Sequence, residues 1–138
     1  DSVEDHLRWV PDIAEVAGVD VDFPIIADED RSVSQAYDMI HPGEGDTSTV
    51  RSVFLIDPSN TVRLTITYPK SVGRNFTEIL RALDALQATD RSPISTPAEW
   101  VPGDRVIVAP AIATDDARER FANVDEVKPY LRFADAPA

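Results

Sequence analysis

Residues 51–91 constrain the fold most. Two strand patterns and an amphipathic helix follow one another there with short connections. Val53-Phe54-Leu55-Ile56 is apolar on both faces, which predicts a strand covered on both sides, central in its sheet. Asp57-Pro58-Ser59-Asn60 has proline in the second place of a turn. Val62, Leu64, Ile66 and Tyr68 then alternate with Arg63, Thr65 and Thr67, the pattern of an edge strand with one buried and one polar face. Asn75 is placed to cap a helix with Glu78 three residues on, and Phe76, Ile79, Leu80, Leu83 and Leu86 make one apolar stripe along it. A hairpin followed by a helix with such a stripe predicts an α/β fold.

Upstream, Ser2 and Asp5 have capping-box spacing, and Val3, Leu7 and Val10 share one side of the helix that follows. Pro11 is expected to end or kink it, with a further helical turn through Ile13 and Val16 to Gly18. Phe23-Pro24-Ile25-Ile26 reads as a short buried strand or extended entry. Asp28 to Arg31 reads as a solvated turn, Val33 to Met39 as a short helix, and His41 to Thr49 as a loop. Beyond Asp90, Pro93, Pro97, Pro102 and Pro110 break up the chain, with Trp100 as its expected anchor. Thr114 is placed to cap a short helix with Asp115 and Asp116 in its first turn. Tyr130-Leu131-Arg132-Phe133 suits a last strand. The change of character near Asp90 divides a body, residues 1–89, from an arm, residues 90–138.

Composition limits function more than fold. The 138 residues carry 25 acidic and 13 basic side chains, a formal net charge of −12. Phosphate binding needs clustered Lys and Arg, so neither nucleic acid nor an anionic membrane surface is expected as a partner. No apolar run approaches the roughly 20 residues of a membrane span. The first residues lack the pattern of a secretory signal, so the expected location is cytoplasmic. There is no cysteine. Disulfides, thiolate metal sites and thiol catalysis are therefore absent from these residues.

Few residues suggest chemistry. His6 and His41 suit structural hydrogen bonding, and no strained nucleophile motif supports a Ser–His–Asp triad. Asp28-x-Asp30-x-Ser32 begins like a calcium loop, but Val33 and Met39 stand where glycine and glutamate are required, so no metal is expected. Arg51 opens an apolar strand, where an isolated cation is costly unless paired. It is either a strand-end arginine reaching water or a carboxylate, or a functional cation. Arg74 stands directly before a helix N-terminus, where the macrodipole disfavours positive charge. A carboxylate partner or an anion-related role is expected for it.

Several stretches together resemble one family. Asp1-Ser2-Val3-x-x-His6-x-x-Trp9, Phe23-Pro24-Ile25-Ile26-Ala27-Asp28 and Arg51-x-Val53-Phe54-x-Ile56-Asp57-Pro58 resemble peroxiredoxin segments. So does Tyr68-Pro69-x-x-x-Gly73-Arg74-Asn75-Phe76-x-Glu78-Ile79-Leu80-Arg81, in the same order. Thr96-Pro97-x-x-Trp100-x-x-Gly103-Asp104 and Lys128-Pro129-Tyr130-Leu131-Arg132-Phe133 resemble the long C-terminal arm of the 1-Cys peroxiredoxins. The likeness covers essentially the whole chain.

The resemblance implies a thioredoxin-like (peroxiredoxin) fold, incomplete at its N-terminus, with an extended C-terminal arm used in dimerisation. The lacking front third would hold the Pro-x-x-x-Thr-x-x-Cys motif. In that family the cysteine thiolate attacks a peroxide and becomes a sulfenic acid, which an external thiol reductant restores. Arg51 matches the strand arginine that stabilises thiolate and peroxide. Arg74 matches a second arginine near the active-site network, and His6 and Trp9 match residues read as packing. The implied activity is reduction of hydrogen peroxide and organic hydroperoxides without a cofactor, in a homodimer joined through the edge strand Val62 to Tyr68 and the arm. The lipid-hydrolysing activity described for some members does not carry over, because Ser59 and Asn60 occupy the place of its acid. The alternative is a non-catalytic interaction or chaperone-like module on the same scaffold.

Overall fold

The structure, a computed structural model, describes residues 1–44 and 48–137. The segment between Glu44 and Ser48, within the expected His41 to Thr49 loop, lies outside the described residues.

The first helix, α1 (Val3–Ala17), starts on the expected capping box: Asp5 N–H donates to Ser2 Oγ, and Ser2 N–H donates to the Asp5 carboxylate. It stops at Gly18, whose φ of 67° is the left-handed conformation glycine adopts without strain. Pro11 does not end it; α1 runs on through the proline. Proline removes one N–H, whose acceptor four residues back would be on Leu7. Leu7 is 69% exposed, so water can satisfy that carbonyl. Phe23 to Ile26 forms no strand, and Phe23 and Ile26 are 63% and 66% exposed, which corrects the expectation of burial.

The second helix, α2 (Ser32–Ala36), is shorter than the sequence suggested. Asp28 holds its start: one carboxylate oxygen accepts from Val33 N–H at 2.9 Å, the other from Ser34 N–H at 2.8 Å and from the Ser34 hydroxyl. The expected turn forms, with Arg31 N–H donating to Asp28 O, but Asp28 itself is half-buried and structural rather than solvated. A short 3₁₀ turn, Pro42–Glu44, follows, and Ile40 bridges to Thr49.

Strands β1 (Arg51–Ile56) and β2 (Val62–Tyr68) form the expected hairpin, a two-stranded sheet among the described residues. At the turn, Asn60 N–H donates to Asp57 O, and Asn60 takes a φ of 61°. The Asp57 carboxylate accepts from Ser59 and Thr61 N–H. On β2, Leu64, Ile66 and Tyr68 are half-buried, while Arg63, Thr65 and Thr67 are exposed, as the alternation requires. Val62 is also exposed.

Two compact units are present. One comprises Asp1–Val53 with Thr65–Gly73, the other Phe54–Leu64 with Arg74–Ala138. The second is organised on helix α3 (Phe76–Arg91), capped by the Asn75 side chain, which accepts from Glu78 N–H. Ala82 is buried and Ile79, Leu83 and Leu86 are half-buried, but Phe76 and Leu80 stay exposed, so the stripe is only partly covered. Helix α3 carries through Asp90 to Arg91.

The C-terminal arm folds into a four-stranded antiparallel sheet. Its strands are β3 (Ile94–Ser95), β4 (Val106–Val108), β5 (Asp125–Lys128) and β6 (Leu131–Ala134), in the order β3-β4-β6-β5. Trp100 is the expected anchor: 4% exposed, it packs with Ile94 and Val106 and donates its indole N–H to Asp104 O. The turn Val101-Pro102-Gly103-Asp104 presents it, with proline second and Gly103 third at a φ of 100°, as a type II turn requires. A second cluster, Val108, Ile112, Ala117 and Ala134, packs under helix α4 (Thr114–Arg120). Thr114 is inside that helix; the cap is Ala113, which has no side-chain acceptor, so the expected threonine cap is corrected. Asp115 and Asp116 stand in the first turn as expected, favourable to the helix dipole.

Candidate functional site

In the first unit the feature with chemical capacity is Arg51. It opens β1, and its side chain is exposed rather than buried, so the burial cost that singled it out does not apply. Its Nε–H donates to the main-chain oxygen of Lys70 at 3.2 Å. The two terminal nitrogens have no partner among the described residues. One position along the hairpin, the Ser52 and Thr67 hydroxyls meet at 3.0 Å and tie the two strands together. Just past β2, Val72 N–H donates to Pro69 O and closes the turn that carries Lys70.

Two cavities meet Arg51. One, of about 390 Å³, is lined by Asp1, Asp5, His6, Trp9 and Arg51. The other, of about 530 Å³, is polar and includes His6, Asp28, Arg31, Ser34, Arg51 and Lys70. His6 is half-buried, and its imidazole makes no hydrogen bond among the described residues, against the expectation of a structural one. Trp9 is 55% exposed and lines the first cavity, so it is not the packed residue the resemblance implied. His41 does have a structural bond, accepting from Gly43 N–H at Nδ1.

Two of the acids that line these cavities, Asp5 and Asp28, are already engaged. Hydrogen bonds from Ser2, first its hydroxyl and then its N–H, hold the Asp5 carboxyl below its ordinary value. The Ser34 hydroxyl, and after it the Val33 and Ser34 N–H groups, do the same for Asp28. Both carboxylates therefore stay ionised and committed to helix starts. What remains uncommitted at Arg51, among the described residues, is a fork of N–H donors on a side chain that lines both cavities. Such a fork suits a thiolate, a carboxylate or an oxygen gaining negative charge.

Arg74 belongs to the second unit and is exposed before the Asn75 cap. The expected carboxylate partner is not found among the described residues. The strong arginine contacts of this unit are others. Arg63 grips Asp90 with both terminal nitrogens, at 2.8 and 3.0 Å, and reaches Asp57 at 3.5 Å. Arg81 binds Glu78 through two nitrogens and donates to Trp100 O. Arg132, 1% exposed, donates to Ile112 O and Ala109 O. Among these pairs only Glu78 and Arg81 lie at helical spacing, a signal that sequence reading could have used. No group of side chains among the described residues could hold a metal ion, and no helix is long and apolar enough to cross a membrane.

Comparison with known proteins gives a consistent answer. The AhpC/TSA family matches residues 1–65, and the C-terminal domain of 1-Cys peroxiredoxin matches residues 85–123. The 1-Cys peroxiredoxin of Dictyostelium discoideum is 49% identical over 138 residues, 99% of this chain and 57% of that protein. The mitochondrial peroxiredoxin PRX1 of Saccharomyces cerevisiae is 47% identical over 96% of this chain and 54% of its own length. The solved structure of a yeast mitochondrial 1-Cys peroxiredoxin, which concerns thiol resolution via glutathione and thioredoxin systems, superposes with a TM-score of 0.88 at 46% identity. It covers 98% of this chain and 67% of that one. A mutant of peroxiredoxin 6 from Arenicola marina superposes with a TM-score of 0.90 at 41% identity, over 99% of this chain and 67% of that one. The chain thus spans a little over half the length of these curated relatives. It belongs to the peroxiredoxin family and has the thioredoxin-like fold of that family.

Proposed function

We propose that these residues form part of a 1-Cys-type thiol peroxidase that reduces hydrogen peroxide and organic hydroperoxides through a cysteine this chain does not contain. The observation that carries the reading is Arg51. It is a strand-end arginine tied at Nε, with four N–H donors uncommitted among the described residues, and it lines a polar cavity.

A free thiol titrates near ~8.5, so a fixed cation is needed to keep it ionised at neutral pH. The thiolate sulfur attacks one peroxide oxygen, the O–O bond breaks, and the sulfur becomes a sulfenic acid as water or an alcohol leaves with a proton. Negative charge moves from sulfur to the departing oxygen during that step. A forked guanidinium can follow it, because its donors cover both positions. An external thiol then reduces the sulfenic acid. By analogy with the yeast relative, the reductant is drawn from the glutathione or thioredoxin systems. Arg74 is assigned the lesser role of supporting the active-site network.

The same reading divides the chain into a catalytic-domain portion, residues 1–89, and a dimerisation arm, residues 90–138. It joins two copies through β2, whose polar face carries Thr65 and Thr67. It places the protein in the cytoplasm; the yeast relative is mitochondrial by name, and cell fractionation tests the point. The absence of cysteine favours one other reading, a non-catalytic interaction or chaperone-like module on this scaffold.

The experiment is a chimaera joining this chain to the cysteine-bearing N-terminal region of the Dictyostelium discoideum relative. Arg51→Ala in it should lower the peroxide reduction rate by about 10²–10³, the effect of losing one preorganised donor group at developing charge. Arg51→Lys should recover only part, since charge returns without the fork. Kinetics unchanged in Arg51→Ala reject the assignment, and a chimaera that folds but reduces no peroxide favours the module.

A further inference from the structure

We propose that the main-chain carbonyl of Lys70 is the positioning group for Arg51, a claim that rests on the role given to Arg51 above. An exposed arginine samples many rotamers, and fixing such a side chain costs conformational entropy. A functional guanidinium held ready must therefore have an anchor. Among the described residues Arg51 has one, the Nε–H···O bond to Lys70.

Its geometry suits the task. Nε is the donor nearest the chain, so engaging it sets the plane of the guanidinium and leaves both terminal nitrogens outward. The acceptor belongs to the backbone and cannot rotate away. Pro69 fixes its own φ, and the bond from Val72 N–H to Pro69 O at 2.9 Å closes the turn around Lys70. Lys70 is half-buried. The Ser52 and Thr67 hydroxyls at 3.0 Å hold the two strands in register between arginine and acceptor. The turn after β2 is thus coupled to the start of β1 by a bond that ends on the functional group, next to a second bond that joins the strands themselves.

A backbone acceptor cannot be removed by side-chain substitution, but it can be weakened. Replacing Ser71 with the α-hydroxy acid of the same side chain turns the Lys70–Ser71 amide into an ester, whose carbonyl accepts poorly. The Ser71 N–H lost in the exchange donates to nothing among the described residues. Two readouts are taken. In the ¹⁵N-labelled chimaera, the Arg51 Nε–H should exchange with water about three- to tenfold faster, the scale of one ordinary hydrogen bond. In the peroxidase chimaera, kcat/KM for hydrogen peroxide should fall several-fold, and the pH at which the thiolate forms should rise. Faster exchange with an unmoved pH profile and unmoved kcat/KM would reduce the bond to a structural contact and overturn the proposal, as would unchanged exchange. Arg51→Ala in the same chimaera separates the two claims. If it leaves the rate unchanged, the role of Arg51 itself fails; if it slows the rate while the ester does not, only the positioning claim fails.

Discussion

Arg132 offers the sharpest test of how the second unit is held together. It lies on β6 at 1% exposure, with one terminal nitrogen on Ile112 O and the other on Ala109 O at 3.1 Å. Its Nε is buried without a partner among the described residues. Hydrogen bonds from a charged donor are worth about 1.5–3 kcal/mol each, so the two together hold about 3–6 kcal/mol. Two terms reduce the loss in Arg132→Met. Ala109 O keeps its bond from Ile112 N–H at 3.1 Å, and methionine removes a buried cation whose desolvation is costly. The expected net destabilisation is about 2–3 kcal/mol. Arg132→Lys should be worse, at about 3–5 kcal/mol, because the charge stays buried while the fork reaching two carbonyls is lost. The assay is urea unfolding followed by Trp100 emission, with the exposed Trp9 replaced by Phe so that one indole reports. With m of about 1–3 kcal/mol/M, the Met variant should move the midpoint down by about 0.7–3 M at constant m. A Met variant within about 0.5 kcal/mol of the parent, a change typical of an inconsequential surface site, refutes the account. So does a Lys variant as stable as the parent.

The remaining predictions concern the first unit and assembly. Asp28 titrates below its ordinary 3.8 in the folded chain, chiefly because of the Ser34 hydroxyl, so its stabilising effect is present above that value and lost as pH falls through the lowered one. Protection of the Val33 and Ser34 amides, taken relative to their intrinsic exchange rates at each pH, should therefore fall on acidification, and Asp28→Asn should abolish that change; protection that does not vary with pH in the parent contradicts it. The exposed apolar side chains Val3, Leu7, Val16, Phe23 and Ile26 should make the isolated chain bind an apolar dye and associate at micromolar concentration, and a dye-silent monomer would argue otherwise. If β2 joins two copies, Thr65→Asp should weaken the dimer of the chimaera about tenfold or more by setting like charges across the two-fold axis, read by sedimentation. A monomeric parent chimaera removes the premise.

The features that were legible in the sequence are those whose partners lie within a few residues. The Ser2–Asp5 box, the Asn75 cap and the Asp57–Asn60 turn each depend on local backbone geometry, and each forms. Burial is another matter, because it belongs to neighbours. The run Phe23 to Ile26 is apolar enough for a core, yet two of its largest side chains face outward. The stripe on α3 is likewise exposed at Phe76 and Leu80. The long-range arginine contacts carried no pattern at all: Arg63 meets Asp90 27 residues on, and Arg132 reaches carbonyls 20 and 23 residues back.

At Arg51 the structure removes the premise on which the sequence singled the residue out. The sequence argument began from the cost of burying an isolated cation, but the side chain is exposed and that cost is not incurred. Its capacity comes instead from partial commitment. One of five donors is engaged by a backbone oxygen, enough to orient the group, while the others remain available at a polar cavity. A fully paired arginine such as Arg63 is better ordered but has less left to offer an incoming anion. An arginine with no anchor, as Arg74 is among the described residues, must lose its rotamer freedom on binding. The intermediate condition balances order against availability. It is also the one sensitive to the acceptor at Lys70, so changes in that turn should alter Arg51 chemistry without touching its side chain.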